Sequence, residues 1–228
     1  MPIAPPAVRA ESLSKVYGSG ATAVTALDAA STELHSGEFT AVTGPSGSGK
    51  STLLHLLAGL DQATSGRAWV GDAELTGLDD KRLTRVRRDR IGFVFQSFNL
   101  VPTLDARENI GLPQKLAGRK PDGAWFDEVV EALRLPDRLK HRPSELSGGQ
   151  QQRVAVARAL VMRPTVIFAD EPTGSLDSQS GADVLGVLRR AVDQYGQTVV
   201  MVTHDASAAS HCDRIVRLAD GRIVADER

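Results

Sequence analysis

The stretch Gly44-Pro45-Ser46-Gly47-Ser48-Gly49-Lys50-Ser51, continued by Thr52, fits the pattern G-x-x-x-x-G-K-[ST]. Each residue type has a task in holding a phosphate chain. Glycines let the backbone wrap an anion with its N–H groups inward. A helix beginning at the end of the turn adds its partial positive charge. Lys50 supplies a compact cation for the β- and γ-phosphates, and the Ser51 hydroxyl is an oxygen ligand for Mg²⁺. Such a turn needs a strand before it and a helix after it, and Glu38–Thr43 and Lys50–Leu60 have those patterns. In that context a glycine-rich turn with an accidental lysine is the weaker account. The turn does not select the reaction, since kinases, GTPases, motors and transport ATPases share it.

Val166-Ile167-Phe168-Ala169 is an apolar run that ends in two adjacent carboxylates, Asp170 and Glu171. In open parallel sheets ligands sit beyond the carboxyl ends of the strands. Two neighbouring acids there are costly unless a cation or a proton compensates. Asp170 is thus suited to hold Mg²⁺, directly or through water, and Glu171 to polarise an attacking water. A second β-branched run, Thr198–Thr203, ends at His204. On the same sheet edge His204 is a candidate for holding the γ-phosphate and the water, against the plainer alternative of a structural histidine. Asp205 beside it suits a helix cap.

Leu146-Ser147-Gly148-Gly149-Gln150 opens a second helix, running on to Arg153 and beyond. Ser147 can cap it, and the paired glycines leave first-turn N–H groups uncovered, which makes another anion seat. The chain therefore has two phosphate-binding helix starts, in different subdomains. A two-fold dimer, in which each chain's second seat closes the other's first, reconciles them.

Positioning these groups calls for an α/β chain. Ile91–Phe95 reads as a strand, and Thr165–Ala169 and Thr198–Thr203 as strands buried on both faces. Arg214–Leu218 and Arg222–Ala225 flank a turn at Ala219-Asp220-Gly221, a hairpin signal. Val8–Lys15, Ala26–Leu34 and Arg67–Leu75 have the look of antiparallel strands. Between Ser97 and Met162 strand signals vanish, and Asn109–Ala117, Ala124–Leu135 and Gly148–Met162 look helical. The expected organisation is a flexible start over residues 1–7 and one domain over 8–228, with a helical insertion at about 97–162.

Composition agrees with one ordinary globular domain: 228 residues, 27 basic and 28 acidic, net charge −1, 41% apolar. Disorder and collagen-like repeats are excluded. A chain of this length buries roughly 70% of its unfolded surface and needs no staple. The near-zero charge argues against a nucleic-acid binder. The one cysteine, Cys212, forms no intrachain disulfide and reads as a packing residue. Met1–Ala10 holds three prolines and no apolar core, so no secretory leader is expected. No apolar run reaches the ~18 residues of a membrane span, so a membrane role would come through a partner.

The second helix start, Leu146–Gln150, resembles the signature sequence of ATP-binding cassette (ABC) ATPases. The phosphate loop, Gln96, that signature, Asp170-Glu171, Ser175-Leu176-Asp177 and His204 stand in that family's order, and the likeness covers about residues 8–228. The resemblance implies a P-loop NTPase core of mainly parallel sheet, with an N-terminal antiparallel β subdomain and an inserted helical subdomain. It implies that ATP and Mg²⁺ are bound, the ion by Ser51, Gln96 and Asp170. By the same likeness Tyr17 stacks on adenine, Glu171 is the general base, and His204 senses the γ-phosphate. Gln96 would touch Mg²⁺ and water and start the loop toward a membrane partner. Ser147, Gly148, Gly149, Gln150 and Asp177 would meet ATP across the dimer.

A finer likeness, in Phe93–Leu104, Glu108-Asn109, Leu146–Ala155 and Glu171–Gly174, is to the macrolide-exporter and lipoprotein-release branch (MacB and LolD type). Two departures are Ser175, where that branch usually has asparagine, and Asp105-Ala106-Arg107, where it usually has Thr-Val-Leu. The resemblance implies an ATPase subunit that powers a separate permease from the cytoplasmic face of the membrane. The alternative is a cassette that regulates a cell-envelope or cell-division enzyme through a membrane partner. A soluble cassette acting on DNA or ribosomes is disfavoured, lacking here the long coiled coil or second cassette. Lys81, Arg82, Arg85, Arg87, Arg88 and Arg90 form a basic run, read as a solvated helix face rather than a lipid-binding one.

Overall fold

The apolar runs become the centre of a sheet, and the helices follow from their caps and breakers. In the computed structural model, which describes residues 6–228, the chain begins with β1 (Val8–Tyr17), β2 (Val24–Leu34), β3 (Phe39–Thr43) and α1 (Lys50–Leu57). It continues through β4 (Ser65–Val70), β5 (Ala73–Glu74), α2 (Asp80–Arg90) and β6 (Ile91–Phe95). Helices α3 (Ala106–Leu116), α4 (Gly123–Ala132) and α5 (Gly148–Leu160) follow. The last part holds β7 (Val166–Asp170), α6 (Ser178–Tyr195), β8 (Val199–Val202), α7 (Ala206–Ala209), β9 (Arg214–Ala219) and β10 (Arg222–Glu227).

The six-stranded sheet has the order β10-β9-β3-β8-β7-β6, parallel except for β10. Its central strands alternate between two cores. Phe39, Val94, Ile167, Ala169, Val199 and Met201 face the core shared with α3 to α6. Val42, Phe168, Val200 and Val202 face the core shared with α1 and the smaller sheet. This two-sided burial is why β7 and β8 read as unbroken apolar runs. The smaller sheet, β2-β1-β4-β5, is antiparallel throughout. In β1, Ser12 at φ +46° marks a bulge that shifts the register, so Leu13 stays buried after Val8 and Ala10.

Several boundaries differ from the sequence expectations, each for a local reason. The strand expected over Arg67–Leu75 is broken by Gly71 (φ +58°) into the hairpin β4–β5, pairing Trp69 with Glu74. The helix expected to run to Leu60 ends at Leu57, because Gly59 takes a left-handed conformation (φ +62°). Helix α3 starts three residues earlier than Asn109, since Asp105 and Glu108 form a capping box. The sequence pattern did not single out α6, although Val184, Leu185, Leu188, Ala191 and Val192 recur at helical spacing; Gly181 and Gly186 dilute the signal. Of the start expected to be flexible, residues 1–5 lie outside the described residues. Ala7 is buried, and its carbonyl accepts from the Gly71 N–H. No helix among the described residues is long and apolar enough to cross a membrane.

Candidate functional site

The turn after β3 is held open by packing as much as by its own glycines. Gly44 and Gly49 have φ of +146° and +97°. A Cβ on Gly44 would fall 2.1 Å from the Leu218 carbonyl oxygen, and one on Gly49 2.3 Å from that of Ala26. The loop is thus wedged between β9 and β2, and only glycine fits there. Lys50, 8% exposed, donates from Nζ to the carbonyls of Gly44 (2.9 Å) and Pro45 (2.8 Å). The ammonium therefore lies folded over the loop it would share with a phosphate. Ser48 Oγ is buried without a partner.

Three strand ends converge beside this loop. In the register of the sheet Asp170 pairs with Phe95 on one side and Val202 on the other, and Val202 pairs with Val42. Gln96, Glu171 and His204 therefore emerge from the same edge as Gly44. Ser51 Oγ donates to Asp170 Oδ1 at 3.3 Å. Glu171 is held at φ +48°, in the left-handed region, by its N–H to the Val202 carbonyl (3.0 Å). A non-glycine residue in that conformation is strained and needs its surroundings to hold it. His204 Nδ1 lies 2.8 Å from Glu171 Oε1. The hydrogen bond and charge of Glu171 raise the imidazole above its ordinary pKa, while Lys50 opposes this. Asp205 does cap α7, accepting from the Ser207 N–H at 2.8 Å.

Ser51, Gln96, Ser97, Asn99, Asp170 and Glu171 line a hollow of about 290 Å³. The Ser175 hydroxyl donates to the Gln96 carbonyl at 2.9 Å, so the departure at this position has a structural use. Two residues to which the motifs gave no role fix the loop after β6 from below. Gln152 Nε2 donates to the carbonyls of Pro172 (2.6 Å) and Phe95 (3.3 Å). Arg158 reaches the carbonyls of Asn99 (2.6 Å) and Phe98 (2.9 Å), both in left-handed conformations. His55, a turn beyond Ser51 on α1, brings Nε2 to 3.6 Å from Asp170 Oδ2. Its i, i+4 spacing from Ser51 was the available signal.

Ser147, Gly148, Gly149 and Gln150 are not gathered into this hollow. Ser147 and Gln150 close a capping box on α5, with Ser147 N–H to Gln150 Oε1 at 2.9 Å and Gln150 N–H to Ser147 Oγ at 3.3 Å. A Cβ on Gly149 would lie 2.9 Å from Ser180, and one on Gly148 3.3 Å from Leu176. The paired glycines are thus also where α6 and the chain before it pack against α5. Asp177 caps α6, accepting from Ser180 N–H (3.0 Å) and Oγ (2.7 Å), and these bonds hold its carboxyl below the usual range.

Tyr17 ends β1 and is 43% exposed. Its hydroxyl donates to Asp61 Oδ2 at 2.8 Å, and Lys15 Nζ donates to Asp61 Oδ1 at 2.7 Å while lying 4.8 Å from the ring centre. Burial acts to raise the Asp61 carboxyl, but the bonds from Lys15 and Tyr17 outweigh it and hold it low. On α2, Arg82, Arg88 and Arg90 pair with Asp79, Asp89 and Asp72, and Arg87 with the Gly59 carbonyl. Most of the basic run is thus spent within the chain. Burial pushes the Cys212 thiol up to about 12, which suits a packing residue.

A phosphate loop, an acidic strand end and a second capped glycine start on this two-sheet fold define a nucleotide-binding cassette. The chain belongs to the ABC transporter family, whose model matches residues 27–174. It is 48% identical to an uncharacterized ABC transporter ATP-binding protein of Thermotoga maritima, over 94% of this chain and 92% of that one. It is 45% identical to the macrolide export ATP-binding/permease protein MacB of Brucella melitensis, over 97% of this chain but 34% of that protein. The chain thus spans about a third of the length of that relative. A dimeric structure of the ATP-binding cassette MJ0796 of Methanocaldococcus jannaschii, in a post-hydrolysis state bound to ADP and Pi, superposes with a TM-score of 0.87. That cassette is 40% identical, and the match covers 97% of this chain and 98% of the other. The antiparallel sheet, mainly parallel core and helical segment expected from the sequence are those of the cassette fold.

Proposed function

We propose that this chain hydrolyses ATP to ADP and phosphate and so powers a separate membrane permease from the cytoplasmic face. The observation that carries this is the convergence of Lys50, Ser51, Gln96, Asp170, Glu171 and His204 on one sheet edge, with Ser51 3.3 Å from Asp170 and His204 2.8 Å from Glu171. Lys50 leaves the two loop carbonyls it now bonds and takes the β- and γ-phosphates. The loop N–H groups, with Ser46, Ser48 and Thr52 beside them, wrap the rest of the chain. Glu171 accepts the proton of the attacking water, and His204 holds that water and the γ-phosphate in line. Tyr17 offers its exposed face to the adenine ring.

Ser51, Asp170 and Gln96 place hard oxygen atoms on the wall of one hollow, a donor set that fits Mg²⁺. When bound there, the ion neutralises charge on the phosphates. The capped start of α5, outside this hollow, faces the nucleotide of a second copy, with Asp177 beside it. The dimeric state of the similar cassette supports that arrangement. The permease domain named in the MacB relative supports a membrane partner and, with the sequence likeness, the export or lipoprotein-release branch. Peripheral attachment through that partner then sets the location.

Phosphate release from ATP, measured with and without Mg²⁺, tests the reading. Mg²⁺-dependent release by the wild type and none by Lys50→Ala is expected. Equal release by both proteins would overturn it.

A further inference from the structure

We propose that Gln152 is a positioning residue for ATP hydrolysis, locking the strand ends that carry Gln96 and Glu171 to the helix that Ser147 caps. The inference rests on the ATPase reading above and goes beyond it to a residue outside the hollow.

Gln152 is fully buried, at 0% exposure. Its single Nε2 serves two carbonyls, that of Phe95, just before Gln96, and that of Pro172, just after Glu171. The ladder between β6 and β7 ends at the pair Phe95–Asp170. Beyond that rung the sheet no longer sets the spacing of the two strands, and Gln96 and Glu171 lie in that stretch. Gln152 ties the strands together at this point. Its Oε1 accepts no hydrogen bond from the chain, so what the amide supplies is a donor forked between the two strand ends. Arg158 on the same helix holds the carbonyls of Phe98 and Asn99, so α5 holds this loop at Phe95, Phe98 and Asn99. In the paired cassette the start of α5 meets the other chain's nucleotide. One rigid helix then presents the second seat to that nucleotide and sets the base for its own.

Gln152 bonds the strand ends and not the phosphate loop, so its loss should misplace Glu171 and Gln96 without loosening ATP. A misplacement of about 1 Å costs roughly 10²-fold in rate. The test is steady-state ATPase of the full chain as wild type, Gln152→Leu and Gln152→Met, with turnover expressed per ATP-binding site titrated. Counting sites removes any misfolded fraction, and the unbranched Met guards against a packing clash from Leu. The expected result is a fall in kcat per site of about 10- to 100-fold, with KM and the Kd for ATP unchanged. Unchanged kcat per site in both variants, or a fall matched by an equal weakening of ATP binding, would overturn the proposal. Absence of Glu171-dependent turnover in the wild type would instead overturn the ATPase reading beneath it.

Discussion

The imidazole of His204 hydrogen-bonds the carboxylate of Glu171 at 2.8 Å, bridging the ends of β8 and β7. Because Glu171 raises the His204 pKa above 6.5, the charged pair is complete below that value and is lost as pH rises through the raised one. An NMR titration of the His204 ring should show a midpoint above 6.5 in the wild type and a lower one in Glu171→Gln. A midpoint that does not move on that substitution would mean the contact does not persist in solution.

Asp61 fixes the Tyr17 ring through the phenol, while Lys15 braces it from the other oxygen. Asp61→Ala should free the ring and weaken ATP binding by the worth of about one hydrogen bond, ~1 kcal/mol or roughly five-fold. Inorganic tripolyphosphate, which has no base, should bind both proteins equally. Equal ATP affinity in both proteins would show that the Asp61 bond to Tyr17 does not contribute to holding the base.

Gly149 lies against Ser180, where a methyl group would come within 2.9 Å. Gly149→Ala should force α5 and α6 apart at a cost of about 1–3 kcal/mol. For a domain of this size each kcal/mol is worth roughly 2–4 °C in Tm. Ser180→Gly in the same protein should restore much of the loss. A Gly149→Ala protein that melts with the wild type would refute the contact.

These residues also mark what the sequence made legible. Motif spacing singles out Lys50, Asp170 and Glu171 because the chemistry expected of them is tied to a local turn or strand end. It found β7 and β8 because burial on both faces leaves no polar residue to interrupt the run. The roles of Gln152, Arg158 and Asp61 are not legible because their partners are backbone carbonyls or side chains 20 to 60 positions away, and a carbonyl leaves no mark on the residue type. Gly44, Gly49 and Gly149 were read as serving anions, whereas the structure adds a packing duty against Leu218, Ala26 and Ser180. Helix α6 was missed although its apolar spacing is regular, since two glycines weakened a pattern that tertiary packing rescues.

Hydrolysis as proposed requires each nucleotide to be enclosed by two chains, one giving Lys50 and Glu171, the other Ser147 to Gln150. Glu171→Gln should bind ATP yet turn it over about 10²- to 10⁴-fold more slowly, so that the enclosed state accumulates. Light scattering of this variant at saturating ATP and Mg²⁺ measures the claim directly. The predicted result is twice the 24.3 kDa mass of one chain, returning to the single-chain mass when ADP replaces ATP. A single-chain mass with ATP stoichiometrically bound would contradict it.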